Sequence, residues 1–172
     1  GKVEENLTKA YQAELDFILS KLRNKNALRF FQEFYRSLEL KSLASLLKSI
    51  ILNIEWEQVE QYIVPYGRFD LSTCKGLVES KNIKTILESI EEEPLREEVE
   101  RILREVEDPT RQILEIEVAL ERYSSMRVWE KLMELKGRDR HCINLVGITI
   151  DMLNIMTILR LKKLGFKPEE IE

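Results

Sequence analysis

Asp151-Met152-Leu153-Asn154-Ile155-Met156-Thr157-Ile158-Leu159-Arg160 decides the reading of this chain, because its pattern is already present as Glu39-Leu40-Lys41-Ser42-Leu43-Ala44-Ser45-Leu46-Leu47-Lys48. The two stretches are 112 residues apart (39 to 151), and in one ungapped register the acid Glu39 falls on Asp151, the base Lys48 on Arg160 and helix break on helix break. The match runs on through Leu52 with Leu164, Asn53 with Gly165, Glu57 with Glu169, Val59 with Ile171 and Glu60 with Glu172. Upstream, Tyr11 falls on Tyr123 and Phe17 on Trp129. Self-similarity at so long a period marks a repeated structural unit. Both stretches carry apolar residues three and four apart, the period of a helix with one buried face.

Working outward, the same period covers nearly the whole chain, and no alternating strand of useful length is found. A first helix is expected over 4–22, with Leu7, Tyr11, Leu15, Ile18 and Leu22 on one face. A second follows Asn24-Lys25-Asn26, carries Phe30, Phe31, Phe34 and Tyr35, and runs through 38–52 until Asn53 breaks it. A short helix over 55–64 stops at Pro65-Tyr66-Gly67. Asp70 or Ser72 caps the next helix, and Ser80 or Asn82 the one after. Glu91-Glu92-Glu93-Pro94 and Asp108-Pro109 read as stops followed by new starts, the second opening a helix to about 135. Lys136-Gly137-Arg138-Asp139 is a loop, the apolar helix that follows ends at Gly165, and Pro168-Glu169-Glu170 opens another. The expectation is an all-α protein of eight to ten helices: two similar lobes, 1–108 and 109–172, from a repeat of about 112 residues, with the second truncated. Truncation is expected to expose apolar surface around Met152, Met156 and Leu159 and to favour self-association.

Composition narrows the classes. The 172 residues are 44% hydrophobic and 34% charged, and six glycines with four prolines exclude collagen-like, linker-like and turn-rich β chains. Length alone suits one domain or a little more. A net charge of −4, with no dense basic run, speaks against nucleic acid as a partner. Two isolated cysteines, Cys74 and Cys142, cannot build a disulfide framework and are read as buried thiols. The apolar stretch 143–164 is interrupted by Asn144, Thr149, Asp151, Asn154, Thr157 and Arg160, so no membrane span is expected.

Asp151, Asn154, Thr157 and Arg160 recur every third residue and wind halfway round their helix; Glu39, Ser42, Ser45 and Lys48 do the same on theirs. Polar groups on a helix that is otherwise apolar must be hydrogen-bonded or paired. Glu39, Ser42, Lys48, Asp151, Asn154 and Arg160 are therefore the candidate residues, either fixing helix register or forming an inner polar face for a partner. His141 beside Cys142 does not make a nucleophile pair, since adjacent residues on a helix point about 100° apart. One histidine and no ExxH spacing leave no metal site to propose, and there is no glycine-rich phosphate loop. Trp56, Trp129, Phe30, Phe31 and Phe34 are read as core or lobe-contact residues, with an exposed Phe a hint of a partner.

The run from Asp151 to Arg160, followed by Lys162-Lys163-Leu164-Gly165 and Pro168-Glu169-Glu170-Ile171, resembles the C subunits of archaeal and bacterial A/V-type ATPases, a family that includes the d subunit of the eukaryotic vacuolar ATPase. The first copy, ending in Ile63-Val64-Pro65-Tyr66-Gly67, and Ile116-Glu117 with Leu120-Glu121-Arg122-Tyr123 resemble the preceding lobe and a lobe-opening helix of the same family. The resemblance implies three similar helical lobes in the whole protein, of which this chain would hold the first and half of the second. It implies a connector without catalytic activity or cofactor, at the cytoplasmic side of the membrane, coupling the rotor shaft subunits to the proteolipid ring in ion transport or ATP synthesis. Glu39 and Ser42 depart from the Asp and Asn that the pattern favours.

Two other readings compete with it. A generic helical repeat adaptor for protein–protein binding would present an exposed apolar groove rather than a polar concave face. An all-α enzyme would gather acids around His141 at the lobe junction.

Overall fold

The computed structural model describes residues 2–135 and 140–167, and their side chains outside 2–9, 11–12 and 141–142. Among the described residues all regular secondary structure is helical, without a strand. The order is α1 (Lys2–Lys21), α2 (Lys25–Ile51), α3 (Trp56–Val59), a single 3-10 turn (Glu60–Tyr62), α4 (Leu71–Ser80), α5 (Ile83–Glu88), α6 (Glu93–Glu105), α7 (Pro109–Met133) and α8 (Arg140–Lys163). The all-α class is thus observed. The loop expected at 136–139 and the helix expected from Pro168 lie outside the described residues.

Local chemistry sets most of these boundaries. Asn24 caps α2, its side chain accepting from the Asn26 and Ala27 amides at 2.9 and 3.2 Å. Asp70 accepts from Thr73 at 2.8 Å, Asn82 from Lys84 at 3.0 Å and Asp108 from Arg111 at 2.7 Å, so each satisfies an amide that a helix start leaves without an intrahelical acceptor. Pro109 opens α7 at the position where its missing N–H costs nothing. Pro94 stands second in α6 rather than first, because the helix begins at Glu93. The expected helix at 55–64 is only one α-turn followed by one 3-10 turn.

Helices α2 and α8 end in the same way. Leu52 donates to Lys48, Asn53 to Ile50 and Ile54 to Ser49, with Asn53 at φ +50°. Leu164 donates to Arg160, Gly165 to Lys162 and Phe166 to Leu161, with Gly165 at φ +84°. In both, a left-handed residue lets the chain fold back onto the last carbonyls.

The core lies under α2. Leu40, Leu43, Leu46 and Leu47 are nearly inaccessible and meet Trp56, Val59, Phe69 and Val78 from the segments that follow. Leu95, Val99 and Ile102, spaced four and three apart on α6, are buried while Glu97, Glu100 and Arg101 between them are exposed. Each such aliphatic side chain contributes about 1.5–3 kcal/mol by leaving water. Helix α7 lies along α2 over much of its length and closes the core with Ile116, Ala119 and Leu120.

Helix α8 packs on α7 but stays open on its outer side, with Leu145, Ile148, Met152, Ile155 and Leu159 exposed. Its stretch Ile143–Lys163 is long and apolar enough, by length and composition, to cross a membrane. The polar residues at every third position dilute the hydrophobic run without lowering its mean enough to exclude a span.

Candidate functional site

On α2 the ladder is inward-facing at its start. Glu39 is only 6% exposed. Its carboxylate pairs with the Arg36 guanidinium, accepts the Arg68 backbone N–H at 3.2 Å and attracts the Arg68 guanidinium at 3.7 Å. Arg36 in turn holds Glu92 through three hydrogen bonds at 2.9–3.0 Å, and Arg68 reaches Glu91. One turn along, the Ser42 hydroxyl accepts from the Val64 N–H at 3.0 Å and donates to the Val64 carbonyl at 2.9 Å. Glu39 and Ser42 therefore pin the turn at 64–68 to α2 by its backbone.

Gly67 is the residue that makes this possible. It sits at φ +60°, and a Cβ there would fall on the Glu39 carboxylate. Tyr66 lies 5.3 Å from Tyr35, ring to ring, while Ile63 and Phe69 are buried on either side of the turn. Any side chain at position 67 would be strained and would displace a buried charge that Arg36 and Arg68 neutralise.

The same ladder positions on α8 have different surroundings. Asp151, Asn154 and Thr157 line an open groove of about 1100 Å³ between α6, α7 and α8, across from Arg111, Arg122 and Trp129. Asp151 and Asn154 are exposed. The two ladder bases, however, converge. Lys48 reaches Glu117 of α7 at 4.0 Å, and Arg160 reaches Glu117 at 3.8 Å and Glu121 at 3.5 Å. All four groups are partly exposed, so these pairs together contribute under about 1 kcal/mol and weaken with salt.

A second polar cluster was not evident from the sequence. Arg127 of α7 donates to Glu33 of α2 at 2.7 Å, beside Tyr123, Arg36 and Glu92, around a cavity of about 240 Å³. Burial, reinforced by Glu92, raises the Tyr123 hydroxyl above its ordinary pKa, and the hydrogen bond to Glu33 raises Arg127. The spacings Glu33/Arg36 and Tyr123/Arg127 were a usable local signal, but their pairing spans 94 residues. Arg36, Arg68, Gly67 and Glu117 were likewise missed as partners of the ladders.

Of the other residues singled out, Cys74 is fully buried and its thiol is pushed up to about 12, chiefly by burial, so it is no nucleophile. Trp56 is core, whereas Trp129 faces the groove and Phe34 is 45% exposed. The side chains of His141 and Cys142 lie outside those described.

A family model described as ATP synthase (C/AC39) subunit matches residues 1–172. The chain is 27% identical over 172 residues to the A-type ATP synthase C subunit of Desulfurococcus sp. (strain SY), covering 99% of this chain and 45% of that protein. It is 24% identical over 167 residues to that of Methanocaldococcus jannaschii, covering 94% and 40%. For Thermococcus gammatolerans the identity is 25% over 156 residues, covering 90% and 40%. The chain thus spans less than half the length of the curated relatives it matches. No solved structure matches it.

Proposed function

Because this chain belongs to the ATP synthase (C/AC39) subunit family, we propose that it is part of a connector that couples the central rotor shaft of a rotary ATPase to the proteolipid ring in the membrane. The observation that carries this reading is the family match across the whole chain, 1–172, joined to three relatives that are each the C subunit of an A-type ATP synthase. In this reading the chain is a mechanical part, peripheral to the membrane, and the catalytic work belongs to other subunits.

The geometry suits that role. A connector under torque must be stiff, and α2 and α7, of 27 and 25 residues, lie along each other with an apolar core on one side and the Arg127–Glu33 pair tying them together. The Glu117 contacts of Lys48 and Arg160 tie both ladders to the same helix.

We further read the fold as two lobes, 1–108 and 109–172, from one repeated unit. In the register of 112, α1 and α7 end at matching residues, Lys21 and Met133, and so do α2 and α8, at Ile51 and Lys163. The three backbone bonds that close α2 recur one for one at the end of α8. These coincidences support the repeat.

The test is affinity capture of the full-length parent protein from solubilised source membranes, read by mass spectrometry. Recovery of shaft subunits with the proteolipid is the expected result; recovery of neither overturns the connector reading. A second reading, a helical adaptor, is favoured by one observation, the open apolar side of α8. It would be preferred if a soluble helical partner came down instead.

A further inference from the structure

Glu33, Arg36 and Glu39 stand three residues apart on α2, so the one guanidinium lies within reach of a carboxylate on either side. The structure gives it to Glu39: Arg36 pairs with Glu39 through Nη1, while its Nε and Nη2 are anchored on Glu92. Glu33 is occupied from elsewhere, by the Arg127 guanidinium of α7 at 2.7 Å. Glu33, Arg36, Glu92 and Arg127 nevertheless line one cavity, and all four charges act on the Tyr123 hydroxyl beside it. The side chains of Glu33, Arg36 and Glu92 are only 17–22% exposed, so solvent screens them weakly.

We propose that Arg127 latches the turn at 64–68 without touching Glu39: by occupying Glu33 it leaves Arg36 to Glu39, so the turn stays clasped only while α7 is seated on α2. When α7 moves off, Glu33 is left as a carboxylate without its cation, next to Arg36 on the same helix, and competes with Glu39 for the guanidinium. Glu39 then keeps only the Arg68 guanidinium, which stands at 3.7 Å and is shared with Glu91. A carboxylate so deeply buried holds its charge poorly with one cation withdrawn. Its hydrogen bond from the Arg68 N–H weakens with it, and that bond is what fastens the end of the turn. The device reports the seating of α7 to a turn on the far side of Arg36, and it holds whatever the chain connects.

Hydrogen exchange of the amides at 64–68, measured on the full-length protein with circular dichroism as a check on folding, tests this. Arg127→Met, at a side chain 38% exposed, should speed exchange of the Arg68 amide on the order of tenfold. Adding Glu33→Gln removes the competitor and should restore slow exchange, although the pair between α2 and α7 is still missing. Glu33→Gln alone should leave the turn slow, as should Lys131→Met, which removes only the pair with Glu134. An Arg68 amide indifferent to Arg127→Met overturns the proposal. So does an amide that is quickened and not rescued by Glu33→Gln, or one quickened equally by Lys131→Met, since either would mean that the turn responds to a general loosening of α7.

Discussion

Helices α2 and α8 carry the same pattern and live in opposite environments. Leu40, Leu43, Leu46 and Leu47 are exposed by 3, 1, 0 and 0%, and their counterparts in register, Met152, Ile155, Ile158 and Leu159, by 62, 57, 44 and 56%. Glu39 and Ser42 grip a turn, whereas Asp151 and Asn154 face an open groove. The difference teaches that an amphipathic pattern states what a helix is able to bury, and that the burial itself depends on which segments lie against it.

The sharpest way to break the comparison is to remove one matching side chain from each helix. Leu46→Ala should cost about 2–5 kcal/mol, because it opens a cavity in a packed core. Ile158→Ala should change stability by under about 0.5 kcal/mol in dilute solution, where its side chain is already in water. Urea melts of the two variants at low concentration measure both. Equal losses would mean that α8 is as covered as α2.

A smaller effect separates the two glycines. Gly67→Ala combines a positive φ with a collision on the paired Glu39 carboxylate and should cost about 2–3 kcal/mol. Gly165→Ala has the positive φ but open space around it, so about 1 kcal/mol is expected from backbone strain alone. Thermal unfolding resolves the pair, and a Gly165 variant as damaged as the Gly67 variant would reveal a cover over the end of α8.

The smallest contrast tests the ladders themselves. Ser42→Ala strips the Val64 N–H and carbonyl of the hydroxyl that pairs both in a part-buried site and should cost about 1–2 kcal/mol. Asn154→Ala should be neutral within about 0.5 kcal/mol. Amide hydrogen exchange at 64–68 should quicken in the first variant only.

Much of this architecture was legible in residue order. The caps at Asp70 and Asp108, the break at Asn53 and the stop at Gly165 all act within five residues along the chain, so their chemistry can be read where it stands. The ladders were visible as spacings and the turn at Pro65-Tyr66-Gly67 as a turn. That Glu39 and Ser42 of one grip the other was not, since 22 to 29 residues separate the partners. Nor was the meeting of Lys48 and Arg160 at Glu117, which requires α7 to pass within reach of both helices.

By itself, then, the order of residues determined the helices, their ends and the faces they would prefer to hide, because propensity, capping and periodicity are short-range and belong to each segment alone. Only the tertiary structure decided that α2 is core while α8 keeps an open seam, and that one ladder is a clasp while the other lines a groove. Burial is a property of neighbours, and two helices with the same pattern differ wherever their neighbours do.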